Sequence, residues 1–155
     1  MTNEPAMTSY SHTQKAPLCL LAYAIAFTQL WLGCFFFEAP PTLRWIFSVI
    51  GFLTLFLAAS IHHLTVSHLG DKLSIRFGPI PLFRRKVKYA DIVKVEVGRT
   101  LLLDGLGIHY SMRGGWVWNI WGRDCVVVHM NQGTLRIGTD DAENLAAFLA
   151  QRIES

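Results

Sequence analysis

Apolar and polar positions divide the chain into two unlike parts. From Pro17 to Phe37 runs PLCLLAYAIAFTQLWLGCFFF, 21 residues without a charge, about the length a helix needs to cross a bilayer. Only Thr28 and Gln29 are polar in its middle. After Glu38-Ala39-Pro40-Pro41-Thr42 comes a second uncharged run of 17 residues, Trp45 to Ile61. It reaches about 20 residues when Leu43, Arg44 and Leu64 sit at the interfaces. Prolines are excluded from helix interiors, so the two runs are separate helices in a tight hairpin. The expected spans are residues 17–37 and 43–64, with residues 1–16 as a flexible tail. A cleavable signal peptide fits less well, because Gly33 to Phe37 is bulky and Lys15 is the only basic residue ahead of the first run. Lipoprotein-type cleavage before Cys34 is made unnecessary by the second span.

From Leu64 onward the pattern changes to short alternating runs separated by turn residues, as in an antiparallel β domain covering residues 65–155. The expected strands are Leu64–His68, Lys72–Phe77, Leu82–Tyr89, Ile92–Arg99, Ile108–Met112, Val117–Trp121, Cys125–Met130 and Thr134–Ile137. The last two are joined by Asn131-Gln132-Gly133, a three-residue hairpin loop with glycine where a left-handed conformation is wanted. The C-terminus reads differently. Leu145, Phe148, Leu149 and Ile153 recur at helical spacing, with Asp140 placed as N-cap and Glu143 as its capping-box partner. A single amphipathic helix after a run of strands needs an apolar surface to cover, such as the open end of a bent sheet.

Charge sharpens the division. The chain is 52% hydrophobic and 16% charged, yet Lys15, Arg44, Glu4 and Glu38 are the only charged residues before position 65. Positive charge gathers after the second span, at Lys72, Arg76, Arg84, Arg85, Lys86 and Lys88, whereas the turn between the spans carries only Arg44. Cytoplasmic flanks hold the excess of Lys and Arg, so both termini are expected in the cytoplasm. Cys19 and Cys34 lie roughly 22 Å apart along a helix, beyond disulfide reach. Together with the lone Cys125 they fit a reducing compartment or the bilayer.

Gly105-Leu106-Gly107-Ile108, Gly115-Trp116-Val117-Trp118-Asn119, Gly122 with Val126-Val127-Val128, and Gly133 through Gly138 to Asp141 resemble the C-terminal half of bacterial pleckstrin-homology-like (PH-like) domains. Phe77-Gly78 and Tyr89-Ala90-Asp91-Ile92 extend the resemblance more loosely upstream. It implies a membrane-anchored α+β chain: a two-helix hairpin followed by a seven-stranded, strongly bent barrel or sandwich capped by one C-terminal helix. It also implies no enzymatic activity; the order span, turn, span, β domain, helix, with positive charge on the domain side, sets the expectation of a bacterial inner-membrane protein.

Two clusters invite a binding role. On a strand, Arg84, Lys86 and Lys88 project from one face, which is either a solvated surface or a contact for anionic headgroups worth about 1 kcal/mol per residue. In GGWVWNIWGR, residues 114–123, strand parity sets Trp116, Trp118 and Ile120 against Val117, Asn119 and Trp121. One face is core; the other, with Arg123, is a candidate surface for a partner or the bilayer. Gly105, Gly107, Gly115, Gly122 and Gly138 suit turns or close backbone approach.

Other chemistry finds little support. Adjacent His62 and His63, with His68, lack a Cys or carboxylate at ligand spacing. Cys125 and His129 would lie about 13 Å apart on a strand, too far for a nucleophile and its base. Residues from 65 on hold 12 basic and 9 acidic side chains without a recognition helix, which disfavours nucleic acid. No metal or cofactor is expected. The expected role is presentation of the β domain at the membrane surface to a protein partner first, or to anionic lipid. The alternative is a small accessory subunit, whose Thr28, Gln29, Ser48, Gly51 and Thr54 would pack against other helices.

Overall fold

The computed structural model describes residues 9–36, 38–100 and 107–153. Two apolar helices, two β-sheets and a C-terminal helix give an α+β layout. Helix α1 spans Leu18–Phe35 and α2 spans Pro41–Ser60; both are long and apolar enough to cross a membrane. Pro41 occupies the first position of α2, where a missing N–H breaks no helical bond.

Small residues bring the two helices together. The buried positions of α1 are Cys19, Ala26 and Gly33, and two of those of α2 are Gly51 and Ala58. A seven-residue seam is the period at which paired helices keep one face in contact. A side chain on Gly33 would meet the Ser48 amide nitrogen at 2.9 Å, and one on Gly51 would meet Leu30 Cγ at 2.8 Å, so glycine sets the closeness of approach. Arg44 closes the turn, donating from Nε to the Gly33 carbonyl and from Nη2 to the Cys34 carbonyl, each at 3.3 Å. The exposed end carbonyls of α1 thereby gain a positive partner. Ser48 and Gly51 are thus used inside the hairpin, while Thr28 and Thr54 bond back to Ala24 and Ile50 of their own helices.

The hairpin interrupts a sheet. Strand β1, Ser11–Lys15, precedes α1, and β2, His63–Leu69, follows α2; they pair antiparallel from Ser11↔Ser67 to Lys15↔His63. Residues 11–15 are therefore a strand where the sequence suggests a tail. Their run, SHTQK, has no apolar alternation to announce it, and its pairing partner lies beyond both helices. The second span is also shorter than 43–64, because β2 has begun by His63.

Strands β3, Lys72–Phe77, and β4, Arg84–Lys88, complete a four-stranded antiparallel sheet in the order β1-β2-β3-β4. The second sheet holds β5 (Ile92–Arg99), β6 (Gly107–Tyr110), β7 (Trp116–Asn119), β8 (Asp124–Met130) and β9 (Gly133–Gly138), ordered β5-β8-β9-β7-β6. Among the described residues there are nine strands in two sheets, where the alternating runs predict eight and the resemblance implies seven, and they form no closed barrel. One pairing is parallel, from Trp116↔Leu135 to Trp118↔Ile137. Because β8 reverses from β7 and β9 reverses from β8, inserting β9 between them leaves β7 and β9 running the same way.

The core lies between the sheets and is capped by α3, Ala142–Ile153. Leu145, Phe148 and Leu149 are fully buried, and Phe148 makes ring contacts with Tyr10, His68 and Tyr89. The helix starts one residue later than the sequence suggests. Asp141, not Asp140, sits at its cap, accepting at Oδ1 from Asn144 Nδ2 at 2.6 Å, while its carbonyl accepts from Leu145 N at 3.2 Å. Asp140 is taken by His12 of β1, 2.5 Å away. Glu143 lies in the first turn, where the helix dipole favours an acid.

Candidate functional site: a basic sheet face

Leu64, Val66, Leu73, Ile75, Phe77 and Val87 point from the four-stranded sheet into the core. Alternate residues therefore point outward, and the register arranges them in rows. Nearest the helices is Lys15–His63; next Thr13–Thr65–Arg76–Arg84; then Ser11–Ser67–Ser74–Lys86; farthest Leu69–Lys72–Lys88. This face holds no acidic side chain. Its first row adjoins the hairpin: Ala16 N donates to the His62 carbonyl at 3.2 Å and Gly78 N to the His63 carbonyl at 2.6 Å.

Two rows set like charges directly opposite, Arg76↔Arg84 and Lys72↔Lys88, an arrangement that destabilises a sheet. Lys72 has one acidic neighbour, Asp71 in the adjoining turn, at 3.7 Å. No ion pair involves Arg76, Arg84, Lys86 or Lys88 among the described residues. Acidic side chains are engaged elsewhere: Glu96 with Lys94 and His129, Asp124 with Arg99, and Asp140 with His12. Burial, reinforced by His62, Arg76 and Lys15, lowers the His63 pKa below its ordinary value. Between charges the face carries hydroxyls; Thr13 and Thr65 share a hydrogen bond at 2.9 Å.

Of the residues singled out from the sequence, Arg84, Lys86 and Lys88 are brought onto this face. The tryptophan-strand residues are not. Trp118 is in the core, 5.7 Å from the Phe77 ring. Asn119 is fully buried and folds onto local backbone, donating to the Gly122 carbonyl at 2.9 Å and accepting from Trp121 N at 3.2 Å. Gly138 gives it room, since any side chain there would collide with the Asn119 amide. Trp116 is partly exposed and pairs edge to face with Tyr110 at 6.0 Å. Trp121 is partly exposed, and its carbonyl accepts from Gln14 Nε2 at 2.9 Å. Arg123 is tied to Thr100, whose amide donates to the Arg123 carbonyl at 2.7 Å. Val117, Trp118 and Asn119 are all buried, so side chains on both faces of β7 are covered. Gly107, Gly115 and Gly122 adopt positive φ; Gly105 lies outside the described residues.

Sequence reasoning missed Lys72, Arg76 and Lys15 as members of the same face. Strand parity was available for Lys72 and Arg76, which fall in an expected strand, but not for Lys15, whose segment reads as a tail; what joins all three is register, set by the Gly78–Phe83 loop and by the pairing of β1 with β2 across the hairpin. No group of three or more His, Cys, Asp or Glu placed to hold a metal occurs among the described residues. Cys125 is buried, and burial pushes its thiol up to about 11. His129 bonds instead to Glu96, at 3.3 Å.

Neither a protein-family model nor a curated protein matches the chain.

Proposed function

We propose that the chain is a non-enzymatic integral protein of the bacterial inner membrane, with both termini cytoplasmic, that holds a PH-like domain against the anionic cytoplasmic leaflet. The observation that carries this reading is the ladder of Lys72, Arg76, Arg84, Lys86 and Lys88 on one sheet face beginning beside the hairpin ends. Unpaired like charges cost stability, and an anionic surface offsets that cost at about 1 kcal/mol per basic residue close to the leaflet. The ladder is what favours lipid over a protein partner, which has no comparable feature in its support.

The topology has separate support. Pairing of β1 with β2 keeps the start of α1 and the end of α2 together, so a hairpin that crosses the bilayer does so an even number of times. The PH-like assignment draws on strands followed by one helix seated on the core; the open sheets and the parallel β7–β9 pair depart from that expectation. An accessory-subunit role is less favoured, because Ser48 and Gly51 already pack within the hairpin.

The test uses the full chain in nanodiscs of zwitterionic or partly anionic lipid, with amine labelling as readout. Lys86 should label more slowly in anionic discs, with the protection lost at high salt. Equal labelling in both discs would overturn lipid contact. A phosphatase fused to the C-terminus should be inactive, and activity there would overturn the orientation.

A further inference from the structure

We infer that the β3–β4 loop, Gly78 to Phe83, is a second membrane attachment: an apolar wedge seated in the interfacial layer beside the hairpin. The inference rests on the spanning reading of α1 and α2 and adds a contact not contained in the basic ladder.

The loop's root is fixed against the end of α2. Gly78 has φ +54°, and a side chain there would come within 2.6 Å of the Ser60 carbonyl oxygen. Its amide is held by the His63 carbonyl, and the two ends of the loop are tied by Phe77 N donating to the Phe83 carbonyl at 2.9 Å. The loop therefore leaves the sheet at the level where the chain leaves α2. A membrane crossed by that helix has its surface at the same level.

The loop's composition suits that position. From Phe77 to Phe83 the sequence is FGPIPLF, without a charge or a polar side chain. Leu82 is 50% exposed and Phe83 37%, and Pro79 and Pro81, just before them, are exposed as well. Each proline fixes its own φ, so little freedom is lost when the tip enters a second phase. The flanking residues are the paired Arg76 and Arg84, long cations that reach phosphates while an adjacent apolar segment sits deeper. An apolar tip, a cationic collar and a root on the span end together favour the bilayer interface over a protein groove.

An environment-sensitive fluorophore attached through Leu82→Cys in a Cys34→Ser background tests this, Cys19 and Cys125 being buried. The full chain is reconstituted into phosphatidylcholine–phosphatidylglycerol vesicles carrying nitroxide lipids at shallow or deep positions. Parallel labels go at Phe52→Cys in α2 and Leu69→Cys at the far end of β2. The expected pattern is deep quenching at Phe52, shallow quenching at Leu82 and none at Leu69. A Leu82 label as water-exposed as that at Leu69, with Phe52 still quenched, would overturn the wedge alone. Loss of quenching at Phe52 would overturn the spanning reading with it. A Leu82 label shielded from water yet unquenched by any nitroxide lipid would place the loop against protein and overturn the bilayer as occupant.

Discussion

Gly78 joins a positive φ to a close approach on α2, so two penalties meet at one atom when a methyl group is added. Gly78→Ala is expected to cost about 2 kcal/mol or more. That corresponds to a fall of about 4–8 °C in thermal midpoint for a chain of this size; an unchanged midpoint would mean that the loop root is not seated on the helix. Cys125 carries a pH signature instead. Its pKa is raised from an ordinary 9.0 to about 11, chiefly by burial. Below the lower value the thiol is protonated in both folded and unfolded chains and contributes nothing to the pH dependence. Between the two values only the unfolded chain ionises, so stability falls as pH rises through that window. Denaturant midpoints of the chain and of Cys125→Ala, compared at about pH 8 and about pH 10, should show a steeper alkaline loss for the parent. At this scale the sequence was a partial guide. Parity separated Trp118 from its neighbours, but burial of Asn119 depends on the Gly122 carbonyl and on the space beside Gly138, neither of which is a local pattern.

Among elements, the β3–β4 ladder makes a prediction about tilt. Lys72 and Lys88 lie four residues along the strands from Arg76 and Arg84, about 13 Å at strand spacing. Charges are screened over about 8 Å at physiological salt. If the sheet stands upright on the membrane, Arg84→Glu weakens the anionic-lipid protection of Lys86 and Lys88→Glu leaves it nearly intact. If the face lies flat, both reversals weaken it alike, and neither having an effect would sink the lipid role. Because β4 is an edge strand, its charges also discourage pairing between copies; aggregation of the reversed variants with unaltered labelling would assign them that role alone. The two helices were legible because an unbroken apolar run has few readings. The charge pattern of β4 was legible for the same local reason. Its union with β3, and the parallel contact of β7 with β9, required knowing which strands become neighbours.

At the level of the whole molecule, the β part is not contiguous in sequence, since both helices are inserted between its first and second strands. Five paired positions join β1 to β2, and Tyr10 and His12 extend the connection to Asp141 and Asp140 at the start of α3. Removal of residues 1–15 is expected to leave the hairpin inserted while making the segment after residue 63 several-fold more sensitive to protease. Unchanged protection would show that β1 is dispensable to the fold. No local pattern in the sequence could have revealed this arrangement, because β1 is polar and its meaning depends on a partner at residues 63–67.

The same discontinuity orders events in time. During synthesis β1 emerges first and has no partner until β2 follows it through both helices. At roughly 5–20 residues per second this delay is about 3–10 s. The first sheet can close only after α1 and α2 have folded back on each other and brought its two ends together, so its completion reports that the helical hairpin has formed.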